Sequence, residues 1–318
     1  MKYSNKEIAF VFPGQGAQYI GMASDFIESN PKFKEILSSF DTKHQTELQK
    51  IMTEGPEADL KDTKFTQPAI LFHSYCAWKA FTEKVDIIPA YVAGHSLGEF
   101  SALVGNGVLS VEDAMHLVHR RGQFMIEANG DQPFAMYAII GLDSESVKKA
   151  CEEASAEGVV IAANFNTPVQ TVISGSEAGV VKAAELCKAN GAKRALPLVV
   201  GGPFHSPLIE KAGQWLSEEM KEINFKETSI PVVSNVDAKP TVDSEKIVNN
   251  LTKQVTSSVL WVDCIEQMIK DGVKVFVEFG PQKVISGMIK KIDKNAIVYN
   301  IDKLSDIQSV IEGLNNAE

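Results

Sequence analysis

Apolar and polar positions along this chain fall into alternating blocks of two periods. Residues 8–12, Ile-Ala-Phe-Val-Phe, are apolar without a break, as in a strand buried on both faces of a parallel sheet. From 31 to 64 the pattern is helical, mostly polar and interrupted by Glu54-Gly55-Pro56, which predicts surface helices. Thr66-Gln67-Pro68 starts a long helix with Thr66 as N-cap and proline in the first turn. Ile70, Leu71, Tyr75, Trp78 and Phe81 fall near helical spacing and read as core, with His73 an ordinary helix residue. A second apolar run, 90–93, enters Gly94-His95-Ser96-Leu97-Gly98, and 99–104 continue as a helix. Ser110 caps the next helix, with Glu112 and Asp113 in its first turn, and that helix runs to about Ala128.

Asn129-Gly130-Asp131-Gln132-Pro133 is a break, and the pattern after it is more compact. Strand 134–141, helix 144–156, strand 159–166, strand 170–174, helix 176–190 and strand 193–200 follow in the order βαββαβ, that of a ferredoxin-like unit. A loop through 201–207 then leads into helix 208–222, strands 231–236 and 273–279, and helices 283–291 and 304–314. Because α/β alternation lies on both sides of the compact unit, the predicted fold class is α/β: a hydrolase-like parallel-sheet domain (1–128 and 200–318) with an inserted ferredoxin-like small domain (129–199).

Composition narrows the function classes. With 318 residues, 44% hydrophobic and 23% charged, the chain has the make-up of a soluble globular protein. No apolar run approaches the roughly 18 residues that span a bilayer. The polar start Met1 to Glu7 leads into only five apolar residues before a Pro-Gly turn, so a signal peptide is not expected and a cytoplasmic location is. Cys76, Cys151, Cys187 and Cys264 lie far apart with no Cys-x-x-Cys pair, and read as buried, reduced thiols. A net charge of −10 argues against general nucleic-acid binding. His116 and His119 share a helix but have no acidic or cysteine partners nearby in sequence, so no metal site is expected.

The candidate chemistry centres on Gly94-x-Ser96-x-Gly98. Strand, sharp turn and helix put the central serine in a strained backbone at the carboxyl end of a strand, with the helix N-terminus beneath it. The turn Pro13-Gly14-Gln15-Gly16, by itself only a tight turn, is suited beside such an elbow to supply a second oxyanion donor. His205 follows the small unit in a loop, C-terminal to the serine, the order found in α/β hydrolases. Arg120 and Arg121 point about 100° apart on their helix, so one can face inward while the other stays in water.

Gly14-Gln15-Gly16-Ala17-Gln18, Gly94-His95-Ser96-Leu97-Gly98-Glu99 and Gly202-Pro203-Phe204-His205-Ser206 together resemble the malonyl-CoA:acyl carrier protein transacylases. The resemblance extends over nearly the whole chain through Arg121-Gly122-x-x-Met125, Asn164-x-Asn166, Gln254 before Trp261, and Glu278-x-Gly280-Pro281. It implies Ser96 as nucleophile, His205 as general base and acid, a main-chain carbonyl near Gln254 in place of a third acid, and the N–H groups of Gln15 and Leu97 as oxyanion hole. His95, Arg121, Met125, Asn166, Phe204 and Gln254 would bind substrate. The fork of Arg121 suits the free carboxylate of a malonyl group, and Phe204 stands where the family favours malonyl over branched units.

The resemblance further implies ping-pong transfer from malonyl-CoA to the phosphopantetheine thiol of an acyl carrier protein, with no bound cofactor or metal. A local basic patch would receive the acidic carrier, with Lys283, Lys290, Lys291, Lys294, Lys193 and Arg194 as candidates. The expected pathway is fatty-acid synthesis; loading of polyketide synthase carriers and acyl-thioester hydrolysis are the alternatives. A monomer is the default. Three features depart from the family pattern: the Gly201-Gly202 pair, Gln282, and Tyr137, whose ring is expected to crowd the acyl pocket.

Overall fold

The computed structural model describes residues 3–316. Met1 and Lys2, in the N-terminal stretch considered above, and Ala317 and Glu318, at the end of the predicted large domain, lie outside them. Among the described residues ten strands form two sheets: β1 (Ile8–Phe12), β2 (Tyr91–Gly94), β3 (Phe134–Ile140), β4 (Val160–Thr167), β5 (Gln170–Ser176), β6 (Arg194–Pro197), β7 (Val232–Val233), β8 (Pro240–Thr241), β9 (Val275–Phe279) and β10 (Ile297–Ile301).

The larger sheet has the order β10-β9-β1-β2-β7-β8 and is parallel except for the short antiparallel pair β7/β8. β1 explains its own unbroken apolar run. Ile8, Phe10 and Phe12 pack into one core while Ala9 and Val11 pack into the other, across the sheet. Phe12 pairs with Gly94 at the ends of β1 and β2, so the 13–16 turn and the serine elbow emerge side by side at the carboxyl edge, where open α/β sheets place their ligands.

The smaller sheet is antiparallel, with the order β4-β5-β3-β6. Helices Ser144–Ala154 and Glu177–Ala189 cover one face, meeting Ile139 and Ile173 through Val147, Cys151, Val180 and Cys187. The other face turns Met136, Ala138 and Val172 toward the large sheet. Strand alternation therefore puts Tyr137 on the helix side, packed in the small core. The expectation that its ring crowds the acyl pocket is corrected: its neighbours Met136 and Ala138 line the cavity. β4 is stitched to the large unit by Val259, whose N–H donates to Ala163 O (2.8 Å) and whose carbonyl accepts from Phe165 N (3.0 Å).

Several predicted boundaries move for local reasons. The long helix is Thr63–Thr82, capped by Asp62, whose carboxylate accepts from Lys64 N; Thr66 is not its cap, and Pro68 lies inside it. Proline has no N–H for the carbonyl four residues back. The His119 ring fills that vacancy, its Nδ1 2.9 Å from Lys64 O, and thereby ties the helix to Val111–Glu127. The 31–64 segment is amphipathic rather than merely polar, burying Phe33, Leu37, Phe40, Leu48 and Met52. β6 ends at Pro197, and Leu198 and Val200 turn toward the cavity. β7 is shorter than predicted because Ser234 and Asn235 leave the ladder to bond Glu99. Helices Ser244–Gln254 and Trp261–Lys270, with β8 and β10, are additional to those predicted.

All four cysteines are buried and unpaired. No helix among the described residues is long and apolar enough to cross a membrane.

Candidate active site

The elbow is forced by its glycines. A Cβ on Gly94 would lie 1.9 Å from the Gly98 carbonyl group, and one on Gly98 would lie 2.2 Å from Phe12 O. With strand, turn and helix so close, Ser96 adopts φ +50°, a left-handed conformation unusual for serine. Two side chains hold it there. Ser96 N–H donates to Asn235 Oδ1 (2.7 Å), and Gln254 Nε2 donates to Ser96 O (3.0 Å).

The Ser96 hydroxyl lies 2.7 Å from His205 Nε2. His205 also has a positive φ, +59°, and its Nδ1 lies 2.8 Å from the main-chain oxygen of Gln254. A carbonyl can only accept, so Nδ1 carries the proton and Nε2 is left to accept from the serine. Burial, and next the positive charge of Arg121, push the imidazole pKa down to about 3. The ring is neutral at physiological pH.

Arg121 is 1% exposed, whereas Arg120 reaches the surface and pairs with Glu219 at 2.9 Å. Helix packing brings Arg121 against the Thr63–Thr82 helix, where Nη1 donates to Gln67 Oε1 (2.8 Å). Nη2 donates to Ser96 Oγ (3.0 Å) and Gln254 Oε1 (3.0 Å). Its Nε–H is buried without a partner among the described residues. Burial lowers the guanidinium to about 10, opposed by the charge of Glu99, so it stays protonated.

Around this trio lies a cavity of about 250 Å³ between the two sheets. Gln15, His95, Leu97, Met125, Asn166 and Phe204 line it with Ser96, Arg121 and His205; Gln254 sits behind, joined through its hydrogen bonds. His95 Nε2 is 2.8 Å from Asn166 Oδ1, bridging the elbow to β4. The N–H groups of Gln15 and Leu97 make no hydrogen bond among the described residues, as an oxyanion donor requires. Gly202 is needed as glycine, since a Cβ would sit 2.9 Å from Met125 O. Gln282 takes φ +63°, where glycine is unstrained.

Three site residues escaped the sequence reading. Gln67 was visible only as a polar position beside a proline on a core helix. Asn235 follows β7 with no motif around it. Glu99 was quoted within the elbow motif but reads equally as a first-turn acid. His116 lies outside the cavity, between His44 and Glu219, and no group of metal-ligating side chains that could hold an ion occurs among the described residues. Lys283, Lys290, Lys291, Lys294, Lys193 and Arg194 are all exposed.

A strained serine within hydrogen-bond reach of a neutral imidazole, with free N–H groups and a fixed cation around the same small cavity, can take an acyl group onto oxygen and pass it on. That is the chemistry of acyl transfer. Comparison agrees: the acyl transferase domain profile matches residues 9–303. The malonyl CoA-acyl carrier protein transacylase of Bacillus subtilis (strain 168) is 41% identical over 309 residues, 97% of each chain. An acyl carrier protein S-malonyltransferase from Vibrio cholerae superposes with a TM-score of 0.91 at 40% identity, covering 96% of this chain and 99% of that one. A malonyl-transacylase solved with a type II PKS acyl-carrier protein gives 0.92 at 38% identity, covering 98% and 100%. The chain belongs to the malonyl CoA-acyl carrier protein transacylase family of acyl transferases.

Proposed function

We propose that this protein moves a malonyl group from malonyl-CoA, through an ester on Ser96, to the phosphopantetheine thiol of an acyl carrier protein. The observation that carries the reading is the cation beside the nucleophile: Arg121 Nη2 lies 3.0 Å from Ser96 Oγ, with its Nε–H unpartnered. A buried guanidinium that far from solvent suits an acyl group ending in a carboxylate.

His205 Nε2 takes the Ser96 proton as the oxygen attacks the thioester carbonyl. The Gln15 and Leu97 N–H groups receive the oxyanion, Gln254 O steadies the imidazolium through Nδ1–H, and the proton then passes from Nε2 to the departing CoA thiolate. The carrier thiol runs the same steps in reverse, giving up its proton to His205. His95, Asn166, Met125 and Phe204 shape the pocket for the acyl group, and Gln254 orients Arg121. Each transfer balances without a bound cofactor or metal; malonyl-CoA is a substrate, and the carrier brings its own phosphopantetheine.

Residues 1–128 and 200–318 form the catalytic domain and 129–199 a ferredoxin-like domain roofing the cavity. The exposed lysines of 283–294, with Lys193 and Arg194, supply a basic rim for an acidic carrier. On this reading the protein acts in the cytoplasm as a monomer. Fatty-acid synthesis is the pathway this transfer would feed, acyl carrier protein being the acceptor in the relatives' name. Service to a polyketide synthase is the second reading, favoured by the likeness to the malonyl-transacylase solved with a type II PKS carrier.

The test is a two-stage assay. Purified enzyme is loaded from malonyl-CoA, holo carrier protein is added, and malonyl-carrier is measured against free malonate. Transfer exceeding hydrolysis is expected; malonate as the main product would make the protein a thioester hydrolase.

A further inference from the structure

Glu99 is 1% exposed, in the first turn of the helix that leaves the elbow. It does not line the cavity. It stands behind the two side chains that do the holding there. Its Oε2 accepts from Gln254 Nε2 (2.7 Å) and Asn235 N (3.1 Å), and its Oε1 accepts from Ser234 Oγ (3.0 Å). Gln254 passes the constraint to Ser96 O and to Arg121. Asn235 passes it to Ser96 N–H and, through Nδ2, to Gly94 O at 2.8 Å. Both peptide groups of the strained serine and the guanidinium thus hang on one carboxylate.

Hydrogen bonding alone does not require that anchor to be an acid. All three partners could be served by a neutral amide, its oxygen accepting from Gln254 and Asn235 and its NH2 donating to the Ser234 hydroxyl. What an ionised carboxylate adds is a field at Arg121, whose hydrogen-bond partners Gln67, Ser96 and Gln254 are all uncharged. Burial raises Glu99 to about 7, its hydrogen bonds and Arg121 pulling the other way, so its charge is present over the upper physiological range.

We propose that Glu99 is a positioning residue whose charge balances Arg121 in the resting enzyme, competing with the incoming acyl carboxylate for the guanidinium and thereby setting the preference for malonyl over uncharged acyl groups. This rests on Arg121 receiving that carboxylate, as set out above. When malonyl arrives, two anions share one cation in a dry pocket, and each weakens the hold on the other. An acetyl group brings no such competition.

The experiment compares wild type, Glu99→Gln, Arg121→Ala and the double variant at pH 8, measuring kcat and KM for loading from malonyl-CoA and acetyl-CoA together with thermal melts. Glu99→Gln keeps the acceptor for Gln254 and Asn235, reverses the hydrogen bond with Ser234 and removes the charge. Its KM for malonyl-CoA is expected to fall, raising the malonyl-to-acetyl ratio by about three- to tenfold, the scale of one partly screened charge. In the melts, Glu99→Gln is expected to lower Tm beside Arg121 and much less in the Arg121→Ala background, because the charges are coupled. An unchanged ratio in Glu99→Gln, with malonyl preference lost in Arg121→Ala, overturns the role of Glu99 and leaves the function standing. Should Glu99→Gln not fold, the double variant must fold; failure of both, or equal Tm losses in the two backgrounds, also overturns it. Malonyl preference surviving in Arg121→Ala removes the carboxylate-binding reading itself and the proposal with it.

Discussion

Replacing Arg121 by alanine separates the two jobs that the cavity performs. For malonyl, the change deletes a guanidinium held at 2.8 Å from Gln67 Oε1 and 3.0 Å from Gln254 Oε1, and leaves the acyl carboxylate in a pocket with no fixed partner at that end. Truncating one side of a buried charge pair costs about 2–5 kcal/mol. Water entering the vacated volume recovers part of this, so about 3 kcal/mol is expected, or roughly a hundredfold in kcat/KM at 1.4 kcal/mol per decade. For acetyl the balance differs. No carboxylate needs a partner, and removal of the cation that helps hold His205 near a pKa of 3 makes the imidazole a stronger base. Acetyl loading should be unchanged or faster. Rapid-quench measurement of acyl-enzyme formation from labelled malonyl-CoA and acetyl-CoA reads both arms, with a melt to exclude unfolding. Equal losses for the two donors, or malonyl loading left intact, would refute the carboxylate-clamp reasoning.

Three further outcomes follow from the geometry. An ordinary histidine gives up most of its base form as pH falls from 7.5 to 6, but His205, held neutral down to about 3, does not; acetyl loading should therefore show no imidazole limb over that range in a pH–rate profile, and a limb near 6.5 would mean that the ring is not held as described. Gly94→Ala drives a methyl to 1.9 Å from the Gly98 backbone, which should cost at least about 3 kcal/mol in denaturant unfolding and abolish loading; a stable, active variant would contradict the packing of the elbow. Gln282→Gly relieves a left-handed residue at φ +63° and should raise stability by about 0.5–1 kcal/mol, read as a higher Tm with unchanged loading rate.

Much of this architecture was legible because single segments carried it. The unbroken apolar run of β1 could only be a strand covered on both sides, and the Gly94–Gly98 spacing left few conformations for Ser96. The pairing of Ser96 with His205 was harder. Ser96 and His205 meet only after the small unit is folded away between them, and family resemblance, not periodicity, joined them. Gln67, Asn235 and Glu99 were hidden because each acts through a tertiary hydrogen bond that leaves no local pattern: Asn235 reaches Ser96 N from across β7, and Gln67 reaches Arg121 from another helix. Tyr137 was misjudged for a related reason. Which face of β3 meets the cavity depends on how the small sheet lies against the large one, and one residue of alternation reverses it. The Thr66 cap failed because Asp62 offered a cap one turn earlier, and His119 supplied the hydrogen bond that Pro68 could not.

The claim beneath all of this is that Ser96 carries the acyl group. Brief mixing of the protein with malonyl-CoA, acid quenching and peptide mass spectrometry should find the malonyl adduct on the peptide bearing Ser96, and none after the same treatment of Ser96→Ala. A malonyl adduct at another side chain, or undiminished transfer to a carrier by Ser96→Ala, would contradict the account.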